Sequence, residues 1–142
     1  MQFDPNNPVF KLCAQGMDFE GIGNPEEASK LFIQAWAEAS NDLEKLTAAH
    51  YVARHQQDAA DKLRWDEVAL HLALNINSHD VKGLYPSLYL NVGKGYEDLG
   101  DVVNARRNYE TAHSFVSFLP DDGYGNMIKG GIGNGLRRLV GQ

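Results

Sequence analysis

Seven residues in the C-terminal half set the tightest limit on the fold. Tyr89, Val92, Gly93 and Tyr96 fall at i, i+3, i+4 and i+7, one stripe of a helix. Ala105, Tyr109 and Ala112 form the matching stripe of a second helix. Between them, Asp98-Leu99-Gly100-Asp101 carries both boundary signals: Gly100 suits the left-handed residue that ends a helix, and Asp101 suits the cap of the next. The spacing predicts a helical hairpin. Gly93 and Ala105 let the two backbones approach, and the aromatics fill the space beside them.

The same frame recurs near the start of the chain, in Leu12, Gly16, Phe19, Ala28, Phe32 and Ala35, with Gln15 in a seat that is usually apolar. The turn reads Gly21-Ile22-Gly23-Asn24-Pro25-Glu26-Glu27. It offers Asn24 as the cap, Pro25 as the first helical residue and Glu27 as the far arm of a loose capping box.

The middle of the chain departs from this frame. Its first helix is expected from Asp42 to Gln56, capped by Asn41 or Asp42. Two registers stay open, one seating Ala48 with Tyr51 and the other Ala49 with Val52. A second helix carries Leu63, Val68, Ala69, Leu72, Ala73 and Ile76, with Asp58 placed to cap a start near Ala59. After Asn77–Gly83, Pro86 either opens the third hairpin's first helix or kinks a longer one from Val81. Tyr124, Met127, Ile128, Ile132, Leu136 and Leu139 mark one last helical stripe.

The seven-residue frame resembles the tetratricopeptide repeat, a helix-turn-helix unit of 34 residues. The resemblance covers about residues 9–120, two units well and the middle one loosely, with Pro120 standing slightly late for the unit's closing proline. It implies an all-α fold in a single domain, 1–142. Three antiparallel helix pairs, at about 9–40, 42–77 and 85–119, would stack as a superhelix closed by a capping helix at about 124–140. Seven helices and no sheet are expected.

Little in the chain suggests catalysis or a cofactor. No H-E-x-x-H, C-x-x-C or G-x-S-x-G motif is present, and His50 and His55 are five residues apart, about 140° round a helix. No metal site is expected. The single cysteine, Cys13, reads as a small hydrophobe and cannot form an internal disulfide. The glycines of Gly131-Ile132-Gly133-Asn134-Gly135 interrupt no helical stripe and follow no strand, which excludes a nucleotide-binding loop. Chains with the His50–Gln56 and Tyr85–Asn91 stretches also resemble small bacterial proteins labelled as ribosomal-RNA adenine methylation proteins. This sequence lacks the Asn-Pro-Pro-aromatic type of motif that such catalysis needs, so that resemblance implies at most an accessory role.

A formal charge of -6 disfavours nucleic acid as a partner. No apolar run approaches the roughly 20 residues that span a bilayer, and the first residues lack a secretory pattern. A cytoplasmic location is expected. The repeat resemblance implies a scaffold that takes a peptide or partner helix in a concave groove. Groove residues are expected at Cys13, Met17 and Glu20, at Leu90, Asn91, Lys94, Glu97 and Asp98, and in one register at His50 and Arg54.

His50-Tyr51-Val52-Ala53-Arg54-His55-Gln56 is the densest cluster of polar chemistry. It reads either as a binding face, with Arg54 holding an anion beside His50 and Tyr51, or as a mixed helix surface. The expected site is therefore Met17, His50, Tyr51, Arg54, Asn91, Lys94 and Glu97, with no cofactor. A sensor of small molecules or anions built on the His50–Arg54 face is the alternative, and self-association into a homodimer a third reading.

Overall fold

The computed structural model describes residues 3–142. Among them are seven α-helices and no strand: α1 (Pro8–Gly21), α2 (Pro25–Glu38), α3 (Asp42–Ala53), α4 (Ala59–Leu74), α5 (Tyr85–Asp98), α6 (Val102–Ser114) and α7 (Gly123–Arg138). Two short 3-10 helices, His79–Leu84 and Val116–Phe118, flank the α5–α6 pair. The chain divides into two compact units, Met1–Ile76 and Asn77–Gln142, with the division at the end of the second expected helix pair.

Side-chain caps fix most of the helix starts. Asn7, Asn24, Asn41, Asp58, Asp101 and Asp122 each accept a backbone N–H from the first turn of the helix that follows. Each such cap contributes about 1 kcal/mol. The expected capping box at α2 is only half made. The Asn24 N–H donates to the Phe19 carbonyl at 2.8 Å, and the Glu27 carboxylate pairs with Lys30 at 3.1 Å. The two hairpin turns share one construction. Gly23 and Gly100 have φ of 79° and 80°, and Asp101 donates back to the Tyr96 carbonyl at 2.9 Å just as Asn24 does to Phe19.

In the first unit, α1 packs on α2, α3 packs against both, and α4 packs on α3. Phe32 of α2 lies directly against Gly16 of α1, where a methyl group would collide with the ring. The choice of register in α3 resolves as both: Ala48 and Ala49 are each fully buried, because α3 has neighbours on several sides. Ala48 joins Val9, Cys13 and Ala35, while Val52 joins Ala28 and Phe32. In α4, Leu70 is buried and Val68 is partly exposed, which moves one expected core seat. α3 also ends at Ala53, short of Gln56. Arg54, His55 and Gln56 donate instead to the carbonyls three residues back, tightening the last turn.

The second unit repeats the arrangement with other residues. α5 packs on α6, with Gly93 against the Tyr109 ring at 2.9 Å from a notional Cβ, and α7 packs on both. Pro86 is the second residue of α5, and the preceding segment is the 3-10 helix rather than a kinked extension. The last helix packs on α5 and α6 through its apolar residues. Ile128 and Ile132 pack with Ala112 and Leu119, and Leu139 packs with Ala105 and Tyr109. Four glycines from Gly130 to Gly135 weaken α7 by roughly 1 kcal/mol each relative to Ala. Burying Ile128, Ile132 and Leu139 contributes about 1.5–3 kcal/mol each. Docking therefore outweighs the poor propensity, and α7 is a helix because of what it rests on.

Candidate functional site at the α1–α3 face

The site grows from Phe32, which is fully buried where α2 meets α3. The Tyr51 ring stacks on it with centroids 5.0 Å apart, and the His55 ring lies 5.6 Å away. Glu20, in the last turn of α1, accepts from Arg54 Nη1 at 3.0 Å through one oxygen and meets His55 Nε2 at 2.8 Å with the other. The Arg54 guanidinium also lies 4.8 Å from the Tyr51 ring centroid, a cation–π distance. Carboxylate, guanidinium and ring thus hold one another.

His50 stands edge-on to Tyr51, 5.1 Å between centroids. Burial, reinforced by the positive charges of Arg54 and Lys62 and opposed by Glu20, depresses its pKa to about 4. The imidazole is therefore neutral at physiological pH.

Beside this cluster Phe3, Phe10, Cys13, Met17, Thr47 and Tyr51 line a depression of about 320 Å³ between α1 and α3. Its lining is apolar except for the hydroxyls of Thr47 and Tyr51. Met17 is 39% exposed here, and Phe3 packs on Phe10 at 5.2 Å between centroids. Cys13 forms the floor. It is buried and not an exposed groove residue as expected, because its place on α1 faces Ala35 and Ala48. Burial pushes its thiol up to about 11, so it stays protonated and is a poor nucleophile. A second, more open depression lies beside Pro25, Glu26, Ser29, Lys30, His55 and Gln57. Its charges are mixed, and Lys30 is already paired with Glu27.

In the first unit, then, Met17, His50 and Arg54 each lie beside Tyr51. Asn91, Lys94 and Glu97 lie on α5 of the second unit. Asn91 is half-buried, and Lys94 forms an exposed pair with Asp98 one turn on. Glu97 is taken up internally: it accepts from Tyr109 Oη at 2.6 Å and from Arg138 at 2.8 and 3.0 Å. Those bonds hold its carboxyl down at about 2. Leu90 is likewise covered, packing against Gly131 and Leu136 of α7.

The sequence reading missed Phe3, Phe10 and Thr47 as site residues. Phe10 sits two residues before Leu12, on the flank of the repeat stripe, where periodicity gives no signal. Among the described residues no group of three or more His, Cys, Asp or Glu is placed to hold a metal ion, and no helix is long and apolar enough to cross a membrane. Comparison with known protein families, curated proteins and solved structures finds no match to this chain.

Proposed function

We propose that this protein is a tetratricopeptide-like scaffold of the cytoplasm, without catalytic activity or cofactor, that binds a peptide or partner helix on its α1–α3 face. The observation that carries this reading is the apolar depression between two first helices of neighbouring hairpins, backed by α2 and rimmed by a partly exposed Met17. An aliphatic or aromatic anchor buried there contributes about 1.5–3 kcal/mol, the scale of an interface hot spot. Tyr51 supplies a ring wall and a hydroxyl, and the Arg54 guanidinium lies 4.8 Å from that ring's centroid. Stacked repeats present this face as the concave one, which suits an extended or helical segment.

An anion sensor built on His50 and Arg54 is less well supported. Arg54 already carries the Glu20 carboxylate, which an incoming anion must displace, and a neutral His50 adds no positive charge. The reading is tested by affinity capture with the wild type beside Met17→Glu, after circular dichroism shows equal helicity. A protein retained by the wild type and lost by the variant supports the α1–α3 face, once its binding segment is mapped to residues with an apolar anchor. Equal retention by both contradicts it.

A further inference from the structure

α7 combines an apolar seat with a glycine-rich sequence and a polar tie at its C-terminal end. Its inner face is apolar, with Ile132 and Leu139 fully buried. Gly135 lies so close to the Tyr109 ring that a Cβ would come within 2.6 Å, and at Gly131 one would meet Leu90 at 3.1 Å. Packing accounts for those two glycines. It does not account for Gly130, which faces open space, or for Gly133, which meets only the flexible end of Arg137. Both simply weaken the helix. The C-terminal end is tied by polar contacts instead. Arg138 rests on Glu97 and Tyr109, and Arg106 Nη2 donates to the carbonyls of Leu139 and Gln142 at 2.9 Å each.

We propose that α7 is a detachable cap. It releases from α5 and α6 as a unit while those two helices stay folded, with the Glu97–Arg138–Tyr109 cluster as its latch. Off its seat the segment has no apolar surface to rest on, and its glycines make the free helix unstable, so release and unwinding are one event. Release bares Leu90, Ala112 and the Tyr109 ring, the apolar face that α7 covers when docked.

Native-state hydrogen exchange on the full chain tests this. In the wild type, amides of Met127–Leu136 exchange at least tenfold faster than those of Tyr109 and Ala112 in α6. Gly130→Ala, a solvent-facing change that leaves the fold intact, slows α7 exchange two- to fivefold. Asp101→Ala removes the cap of α6. It speeds exchange at Tyr109 and Ala112 several-fold and leaves α7 unchanged, because α6 is folded in both the closed and the released states. The proposal is overturned if α7 exchanges at the rate of α6 in the wild type and follows it in Asp101→Ala, since the two would then open only together.

Discussion

Arg138 closes on Glu97 across 41 residues of chain, and Arg54 closes on Glu20 across 34. The two glutamates occupy the same seat, four residues before the Asn24 and Asp101 caps. In each case the arginine comes from the end of the helix that packs beside the hairpin. The α1–α2 and α5–α6 hairpins therefore each carry, at the end of the first helix, a carboxylate socket for a neighbour.

This relationship separates two arginine and lysine positions that look alike in sequence. Arg54→Ala removes both the Glu20 pair and the cover over Tyr51, and it is expected to cost up to about 1 kcal/mol. Lys94→Ala breaks only an exposed pair with Asp98, and its effect should stay within about 0.5 kcal/mol. Urea unfolding of the two variants beside the wild type measures the difference. An equal effect at both positions would deny the socket.

The Glu97 socket has a pH signature. Its carboxyl titrates at about 2 in the folded chain against an ordinary value of 4.5, chiefly because Arg138 hydrogen-bonds the ionised form. The unfolded chain therefore binds the proton first as pH falls, and the stabilisation is complete above about pH 4.5 and fades toward pH 2. The advantage of the wild type over Glu97→Gln should shrink across that window and be constant from pH 5 to 8. Denaturation midpoints of both proteins at stepped pH values check it, and an advantage that persists unchanged at pH 2.5 would count against the ion pair.

His50 acts with the opposite group type and the same direction. Its folded pKa of about 4 lies below the ordinary 6.5, so between those values the unfolded chain holds the proton and the folded chain does not. Its contribution lowers stability as pH falls from 6.5 to 4. Carbon-detected NMR titration of the imidazole should give a midpoint near 4. A midpoint near 6.5 would place His50 in solvent and revive the anion-binding reading.

The close helix contacts make a further test. Gly93→Ala sets a methyl group 2.9 Å from the Tyr109 ring, with the Ala105 carbonyl 3.3 Å away on the other side. The ring is fully buried and cannot swing clear. Overpacking of this kind typically costs 1–3 kcal/mol, and the melting temperature should fall accordingly. Gly21→Ala, with open space around it, is the control and should be neutral or mildly stabilising.

The outer hairpins were legible because their information is local. Small and aromatic seats, a left-handed glycine and a capping Asn or Asp all lie within one 34-residue frame, and they recur. The α3 register was not legible, since a helix with neighbours on several sides buries both Ala48 and Ala49 and leaves no single stripe. Its end at Ala53 carried no glycine or proline to announce it. The placement of the candidate residues was legible in part. Met17, His50 and Arg54 each lie beside Tyr51, but Glu97 and Leu90 are consumed by contacts with α7, and Cys13 is turned inward. Pairings across 34 or 41 residues follow from packing and leave no mark on spacing.

The α1–α3 face is tested most directly by a photo-crosslinking residue placed at Met17, with the same residue at Ile33, an exposed apolar position of α2, as the control. The account predicts a discrete adduct from position 17 and none from position 33, with the crosslinked segment of the partner carrying an apolar anchor. Adducts formed equally from both positions, or from position 33 alone, would contradict it.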